Sequence, residues 1–253
     1  MEKVSNNRLA NFQKLEAPVF FSSADENVPE VGKILGRELN PSGKYSLRQR
    51  QKKLRSKIFR GVRVLIAEKG YFSFSMKELA DECETTRQTI YNLVGDRENL
   101  IKAAQSEHLK ALILIASKQN NYPNLFLEFA NVAWRNSVIN SVYVKEVMLT
   151  HHLNKAISVR DLHEISFKPL YLELLAMEKA GKLRKGVDVK LVAEHVHYLI
   201  ISITLRWVRG EINDSELRCQ LLSGTGFFLL GVMRPSHQEK VERFINNFFN
   251  DYG

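Results

Sequence analysis

The sequence has few of the features that mark secreted, membrane-spanning or disulfide-stabilised proteins. Only two cysteines, Cys83 and Cys219, occur in 253 residues, which is too few for a disulfide framework or a zinc site and is typical of a reducing compartment. The longest apolar run, Tyr198–Leu205, is much shorter than the roughly 20 residues that span a bilayer. The segment Met1–Asn7 does not resemble the start of a signal peptide. We therefore expect a cytoplasmic protein that does not enter a membrane.

Patterns of sheets, repeats and catalytic sites are also missing. No alternating strand pattern persists after Leu47, and no repeat with a period of about 20–50 residues is visible. Among the seven histidines, neither His151-His152 nor His195/His197 has a spacing that puts both rings on one side of a helix. We find no HExxH or CxxC motif, glycine-rich phosphate loop or nucleophile elbow. These absences predict a protein that is not an enzyme and has no metal site or cofactor.

Apolar residues at helical spacing dominate the chain from Leu47 onward and predict an all-α protein. Glycine, proline and asparagine interrupt the spacing often enough to give about nine or ten helices. The first 43 residues differ, because they contain three of the six prolines and only weak periodicity. We predict a mostly irregular arm (1–43), a helix-turn-helix domain (44–105) and a larger helical domain (106–253).

Positive charge is concentrated in one short segment. The chain has 37 Lys and Arg against 28 Asp and Glu, and the nine basic residues from Lys44 to Arg63, with no acidic residue among them, account for the whole net charge of +9. Apolar spacing predicts a helix over Leu47–Lys69. Its outward-facing basic residues are expected to be Arg48, Lys52, Arg55 and Arg63. Such a surface favours a polyanion as partner, although a merely solvated helix face is the alternative.

Two short helices joined by a tight turn are predicted to follow the basic helix. Ser75 and Glu78 form a capping box, which predicts a helix over 76–83. Thr86 is the expected N-cap of a second helix, over 87–94. This is the pattern of a helix-turn-helix, whose second helix fits the major groove of DNA. The pattern alone also occurs in folds that do not bind DNA, so that alternative stays open.

The start of the second helix has side chains suited to reading bases. Arg87 suits guanine, and Gln88 or Asn92 suits adenine. Phosphate contacts are expected from hydroxyl, phenol and basic groups around this helix and from the basic segment. The full set of predicted DNA-binding residues is Lys44, Arg48, Arg55, Ser75, Thr86, Arg87, Gln88, Thr89, Tyr91, Asn92, Arg97 and Lys102.

Two motifs, Lys69-Gly70-Tyr71 and Thr89-Ile90-Tyr91, lie in one contiguous stretch. Other characteristic residues around them are Ile58, Ala67-Glu68, Ser75, Leu79-Ala80, Thr86, Glu98 and Leu100. With these residues, the stretch 58–103 resembles the DNA-binding domain of the tetracycline-repressor (TetR) family of bacterial regulators. The resemblance implies a fully helical homodimer with a DNA-binding domain and a larger domain that binds a small effector. Glu84 is a departure, since the family usually has glycine at this turn position.

Three apolar and aromatic segments follow, over 124–137, 142–153 and 158–181. Pro169 predicts a kink or a new helix start within the third. The resemblance implies that helices in these places line the effector cavity. The candidate pocket residues are Phe126, Phe129, Ala130, Trp134, Met148, Tyr171, Leu174 and His195. Their character favours a hydrophobic or amphipathic ligand, although aromatic residues at this spacing are also common in ordinary cores.

A packing seam is predicted in the segment Asp214–Met233. Its residues recur at steps of four and three positions, and they are Leu217, Leu221, Gly224, Phe228 and Gly231. A glycine costs about 1 kcal/mol in a helix interior relative to alanine, which is tolerable where a partner backbone approaches closely. Together with the helix predicted over Asp188–Arg209, this seam predicts a four-helix dimer interface, as the resemblance also implies. Packing within one subunit is the alternative.

These patterns together predict a homodimeric, sequence-specific DNA-binding transcription regulator. With the resemblance, the expectation becomes a ligand-responsive repressor that acts on a palindromic operator. Its expected partners are double-stranded DNA, a second copy of the chain and an apolar or amphipathic effector. The alternative is an activator or nucleoid-associated factor that a protein partner controls and that has no small-molecule effector.

Overall fold

The computed structural model describes residues 47–153 and 160–250, with side chains placed from 49 to 150 and from 166 to 250. Within these ranges it contains one short 3₁₀ helix and the α-helices α1 (Leu47–Lys69), α2 (Met76–Glu82), α3 (Arg87–Val94), α4 (Arg97–Lys118), α5 (Leu125–Ile139), α6 (Ser141–Leu153), α7 (Arg160–Lys179), α8 (Val189–Val208), α9 (Asp214–Val232) and α10 (Glu239–Asn250). The predicted all-α class is confirmed. None of these helices is both long enough and apolar enough to cross a membrane. The predicted arm, Lys44 and the side chain of Arg48 lie outside the described residues.

The described residues form two compact units. The N-terminal unit ends at Ala111, and the C-terminal unit begins at Leu112. In the N-terminal unit, α1, α2 and α3 pack on one another. In the C-terminal unit, α9 packs against α5, α8 and α10, while α8 also contacts α6 and α7. Each unit therefore has its own helical core.

The core of the N-terminal unit is built on the predicted apolar stripe of α1. Ile58, Val62 and Ile66 have no exposed surface. Leu79 of α2 and Ile90 of α3 are buried to the same extent. Since burying a large aliphatic side chain contributes about 1.5–3 kcal/mol, these residues are a main contribution to the packing of the three helices.

α1 and α2 come close together at Gly61. A Cβ atom there would lie only 2.9 Å from Sγ of Cys83 and 3.0 Å from Cδ1 of Leu79, so a larger residue requires its neighbours to move. Cys83 is 2% exposed, and burial raises the pKa of its thiol to about 11. The thiol is therefore a buried packing group at this crossing.

α9 lies at the centre of the C-terminal unit. Leu217, Leu221 and Leu229 have no exposed surface. At Gly226, α10 approaches so closely that a Cβ atom would lie 2.8 Å from Cδ1 of Ile245. Much of the apolar surface of α9 is therefore used for packing within the chain.

α7 continues through Pro169, so the new helix start expected at this proline is absent. Proline removes one backbone hydrogen bond and costs about 3 kcal/mol in a helix interior. Leu170 and Leu174, just after it, are buried to 99% or more, and α7 packs against α8 and α5. Burial of these two side chains contributes enough to offset that cost.

Candidate nucleic-acid interface

The helix-turn-helix consists of α2, a turn and α3. The Ser75 hydroxyl accepts a hydrogen bond from the Glu78 amide at 3.2 Å, and Glu78 Oε2 accepts one from the Ser75 amide at 2.7 Å, so the predicted capping box is present. Thr86 caps α3 by accepting from the Thr89 amide at 3.1 Å. These caps satisfy amides that have no partner inside the helix and fix where each helix begins.

Glu78 is held in its charged form. A hydrogen bond from Lys69 and further ones from Ser75 lower the pKa of Glu78 to about 2. The same contact raises the pKa of Lys69. Because Glu78 takes hydrogen bonds from both the amide and the side chain of Ser75, the Ser75 hydroxyl has to exchange that contact in order to donate to a DNA phosphate.

Glu84, in the turn, has a backbone conformation that favours glycine. Its φ is 50°, in the left-handed region, which costs a residue with a side chain about 1 kcal/mol. Its carboxylate lies 3.4 Å from Lys57 Nζ, and both side chains are exposed. The geometry thus explains why glycine is usual here in the family that the sequence resembles, and it puts an acidic group beside the basic helix.

α3 presents one polar face to solvent. Ile90 is fully buried, whereas Arg87, Gln88, Tyr91 and Asn92 are exposed. The Nε2 group of Gln88 donates to Oδ1 of Asn92 at 2.9 Å. The structure therefore brings the predicted base-reading residues together at the surface of one helix.

Basic residues line the exposed side of α1. They are Arg50, Lys52, Arg55, Lys57 and Arg60. The Arg55 guanidinium lies 5.2 Å from the ring centroid of Phe59, which steadies it at the surface. Arg60 was not singled out from the sequence, although its place in the basic segment was a sufficient signal.

Arg63 is completely buried, so the expectation that it faces outward is wrong. Its Nη1 donates to the Ala104 carbonyl at 3.0 Å and to Glu107 Oε2 at 3.1 Å. Ser56 donates to the other Glu107 oxygen at 3.3 Å. A buried charge is tolerated when it is paired and hydrogen-bonded, and the partner here lies 44 residues away. Arg63 ties α1 to α4 and does not add to the exposed charge.

Two predicted phosphate-binding residues near the start of α4 have partners within the chain. Arg97 donates to the Tyr71 carbonyl at 2.6 Å, and its guanidinium lies 4.5 Å from the ring centroid of Phe74. Burial lowers the pKa of Arg97. Lys102 lies 2.9 Å from a carboxylate oxygen of Glu98. Either residue must share or exchange these contacts in order to reach a phosphate.

The predicted effector residues differ in their exposure. The buried ones are Phe126, Phe129, Ala130 and Leu174, and the half-buried ones are Trp134, Met148 and Tyr171. His195 is exposed, and its ring meets Phe228 edge-on at 6.2 Å between centroids. His197 is 4% exposed and lies 3.3 Å from the Ser166 hydroxyl. Sequence reasoning missed His197 as an interior residue, since only the contact with α7 distinguishes it from His195.

Trp134 and Tyr171 have identifiable neighbours. The Trp134 indole donates to the Asp214 carbonyl at 3.0 Å, and the Arg218 guanidinium lies 5.1 Å from its ring centroid. Tyr171 stacks on Phe167 of the same helix at 5.6 Å. Trp134 thus joins α5 to the start of α9.

The predicted dimer seam on α9 divides into two parts. Leu217 and Leu221 have no exposed surface, so they pack within the chain. Gly224 and Phe228 are half-buried. Gly231 is exposed, and a Cβ atom there would meet no atom within 4 Å. The outward-facing part of the seam is therefore its C-terminal half.

α8 contributes an exposed stripe that the sequence analysis did not resolve into residues. Leu191, His195 and Tyr198 recur at steps of four and three positions and are all exposed. The His195–Phe228 contact joins this stripe to the outward half of the α9 seam. Helical spacing was the available signal, but it does not show which face of α8 is covered.

Residues 58–104 match the model of a family described as bacterial regulatory proteins, tetR family. The match spans the C-terminal half of α1, both helices of the helix-turn-helix and the start of α4. This part of the chain is therefore a TetR-type DNA-binding domain, in which α3 occupies the place of the recognition helix of a helix-turn-helix. No curated protein sequence matches the chain significantly.

Solved structures extend the likeness to the C-terminal unit. A protein of Syntrophomonas wolfei, proposed to be a TetR-family transcriptional regulator, gives a TM-score of 0.61 at 19% identity and covers 71% of this chain and 96% of that one. A similarly described protein of Rhodococcus sp. gives a TM-score of 0.60 at 17% identity, and the match covers 70% of this chain and 99% of that one. FadR of Thermus thermophilus, a TetR-family repressor solved in complex with lauroyl-CoA, gives a TM-score of 0.54 at 17% identity. The match covers 70% of this chain and 93% of that one. At these identities the likeness shows that the fold is that of TetR proteins.

Proposed function

We propose that the chain is a homodimeric, ligand-responsive repressor that binds a palindromic operator. The observation that carries the proposal is the exposed polar face of the TetR-type recognition helix, with Arg87, Gln88 and Asn92 at its surface. A helix of this kind fits the major groove, where arginine pairs with guanine and glutamine or asparagine with adenine.

Phosphate contacts position this helix in the groove. The exposed Tyr91 phenol, the Thr86 and Ser75 hydroxyls and the basic side of α1, including Arg55, supply donors around α3. Such contacts are independent of base sequence, and they make affinity fall as salt concentration rises. Arg63 does not take part because Glu107 holds it in the interior.

Dimerisation uses the exposed stripe of α8 and the outward half of α9. Leu191 and Tyr198 are 47% and 56% exposed and lie with His195 in one stripe of α8, and an exposed apolar stripe of this kind is suited to cover by a partner. At Gly231 a Cβ atom would meet open space, so a helix of a second copy can approach α9 closely there. A two-fold dimer places its recognition helices about one DNA turn apart and so reads a palindrome.

The effector binds in the C-terminal unit. Buried apolar residues of α5 and α7, such as Phe126 and Leu174, favour an apolar or amphipathic molecule. His197 of α8 and Ser166 of α7 supply a polar contact in the same unit. The related fold of FadR is solved with lauroyl-CoA, a molecule of this chemical class. An effector that binds the non-operator conformation more tightly shifts the population away from DNA.

Selection of bound fragments from random double-stranded DNA tests the DNA-binding part. We expect an enriched palindrome whose affinity falls steeply between about 50 and 200 mM salt. Arg87→Ala is expected to lower discrimination at one base pair of each half-site by about 1–3 kcal/mol. Arg243→Ala, which removes an exposed arginine of α10, is the matched control and leaves the preference unchanged. Equal enrichment of all sequences would overturn the proposal.

Sedimentation equilibrium tests the dimer. Tyr198→Glu puts a charge into the proposed interface and is expected to shift the chain towards monomer. Leu172→Glu changes an equally exposed apolar residue of α7 outside the interface and should leave the dimer intact. A wild-type monomer, or the same effect from both variants, would contradict the assignment.

A second candidate function is a DNA-binding activator or nucleoid-associated factor controlled by a protein partner. The observation in its favour is an exposed aromatic pair, Phe227 of α9 stacked on Phe249 of α10 with 5.8 Å between centroids. Thermal unfolding with a panel of fatty acids, their coenzyme A esters and small aromatic compounds separates the two candidates. Only a repressor with an effector site is stabilised by one of them, in proportion to its concentration.

A further inference from the structure

Gln88 and Asn92 form a side-chain pair on the exposed face of α3. Nε2 of Gln88 donates to Oδ1 of Asn92 at 2.9 Å. Residues four positions apart lie one turn from each other on the same helix face, so both amides point outward together. A hydrogen bond between exposed neutral amides contributes little to stability, since water competes for both partners. Its main effect is on the orientation of the two groups.

In the structure the NH₂ end of the Gln88 amide lies towards Asn92, and it stays there as long as Asn92 turns its oxygen towards Gln88. The Asn92 carbonyl oxygen only accepts, so it pairs with the NH₂ end of Gln88 and not with Oε1. The Gln88 carbonyl is therefore held on the side away from Asn92. One Nε2 proton and Oε1 are left to form hydrogen bonds outside the pair.

Adenine in the major groove requires this combination. It offers the N6 amino group as a donor and N7 as an acceptor, which together match one amide oxygen and one amide N–H. An amide turned by 180° sets its oxygen against N7, where two acceptors meet, and its NH₂ against the N6 donor. A fixed orientation thus preserves both hydrogen bonds.

We propose that Asn92 is a positioning residue that makes Gln88 specific for adenine. Gln88 Oε1 accepts from adenine N6, its second Nε2 proton goes to N7, and Asn92 prevents the amide from turning over. Gln88 and Asn92 then act on a single base pair of the half-site. The inference rests on the proposed function, because it requires α3 to lie in the major groove.

Selection from random DNA with four proteins tests this: wild type, Gln88→Ala, Asn92→Ala and the double variant. The wild type is expected to prefer adenine at one base pair by about 5- to 150-fold, the range of a good bidentate contact. Each single variant should lose preference at that same base pair. The double variant should lose no more than Gln88→Ala does, since Asn92 acts only through Gln88.

Conservative variants distinguish positioning from a general structural role. Asn92→Asp keeps an acceptor for Gln88 Nε2, so it should retain the adenine preference even though its charge weakens binding to all sequences. Gln88→Glu should move the preference at this base pair to cytosine, whose N4 group is a donor. Tyr91→Phe, in the same turn but outside the pair, should change affinity for all sequences alike. Circular dichroism checks that these exposed substitutions leave the helices intact.

The outcomes separate this inference from the proposed function. If Asn92→Ala changes preference at a different base pair, or if the two single effects add in the double variant, Asn92 reads DNA by itself and the inference is overturned alone. If the wild type prefers no sequence, the proposed function fails and the inference fails with it.

Discussion

The recognition helix α3 and the central helix α9 use their side chains in opposite ways. α3 fully buries Ile90 and leaves Arg87 and Gln88 at the surface, available to a partner. α9 completely buries Leu217 and Leu221 against the rest of its own unit. A short capped helix held by a few contacts can expose most of its surface, whereas a helix packed between three others keeps only one edge for another molecule.

The difference shows which interactions position each region. In the N-terminal unit, side-chain caps at Ser75 and Thr86 fix where the helices begin. Close helix approach fixes the spacing of elements in both units, at Gly61 and at Gly226. We therefore expect the short helices α2 and α3 to respond mainly to changes in polar contacts, and α9 to respond mainly to changes in volume.

The largest expected effect is that of Arg63→Met. It removes the buried cation with which Glu107 pairs, and breaking such a pair costs about 3 kcal/mol of unfolding free energy. Native-state hydrogen exchange of the α1 amides measures the loss.

Two further variants control this experiment. Arg60→Met removes an exposed arginine from the same helix and should change stability by less than about 0.5 kcal/mol. Arg63→Met combined with Glu107→Leu replaces the pair by apolar groups and should recover most of the stability. A loss below about 1 kcal/mol for Arg63→Met would show that the pair is not important for the unit.

Next in size is the contrast between two glycines of α9. Gly226→Ala puts a methyl group against Ile245 and should lower the unfolding free energy of the C-terminal unit by about 1 kcal/mol, since strain exceeds the gain in helix propensity. Gly231→Ala meets no neighbouring atom and should raise it by up to about 1 kcal/mol. Urea unfolding followed by tryptophan fluorescence, at one protein concentration, measures both. Changes of the same sign would contradict the assigned packing.

The smallest effect is expected in the turn of the helix-turn-helix. Glu84→Gly relieves the left-handed backbone, while Glu84→Ala retains it, and both remove the ion pair with Lys57. The glycine variant should therefore be more stable than the alanine variant by about 1 kcal/mol, measured by thermal unfolding. Equal stabilities would show that the turn is not strained.

Local signals allowed most helix ends to be predicted from the sequence. Ser75 and Thr86 each accept a hydrogen bond from the third residue after them, as their positions predict, and Asp96 does the same at the start of α4. Gly70 ends α1 with a φ of 94°, again as expected for a glycine at a helix end. Such signals lie within four residues of the feature that they determine.

Contacts between distant segments were not predictable in the same way. Arg63 was expected at the surface because helical spacing cannot show that Glu107 lies opposite it. The spacing of Leu217 and Leu221 correctly indicates a packing seam, but spacing does not distinguish a helix of the same chain from one of a partner. The candidate base-reading residues could be proposed from the sequence, whereas the pairing of Gln88 with Asn92 came from the structure.

The buried thiol at the crossing of α1 and α2 gives the protein a natural reporter. With its pKa raised, Cys83 has almost no reactive thiolate at neutral pH, so alkylation has to wait until the N-terminal unit opens. Both tryptophans, Trp134 and Trp207, belong to the other unit. In a Cys219→Ser variant, the alkylation rate of Cys83 therefore reports on opening of the N-terminal unit. The indole fluorescence of the same sample reports on the C-terminal unit.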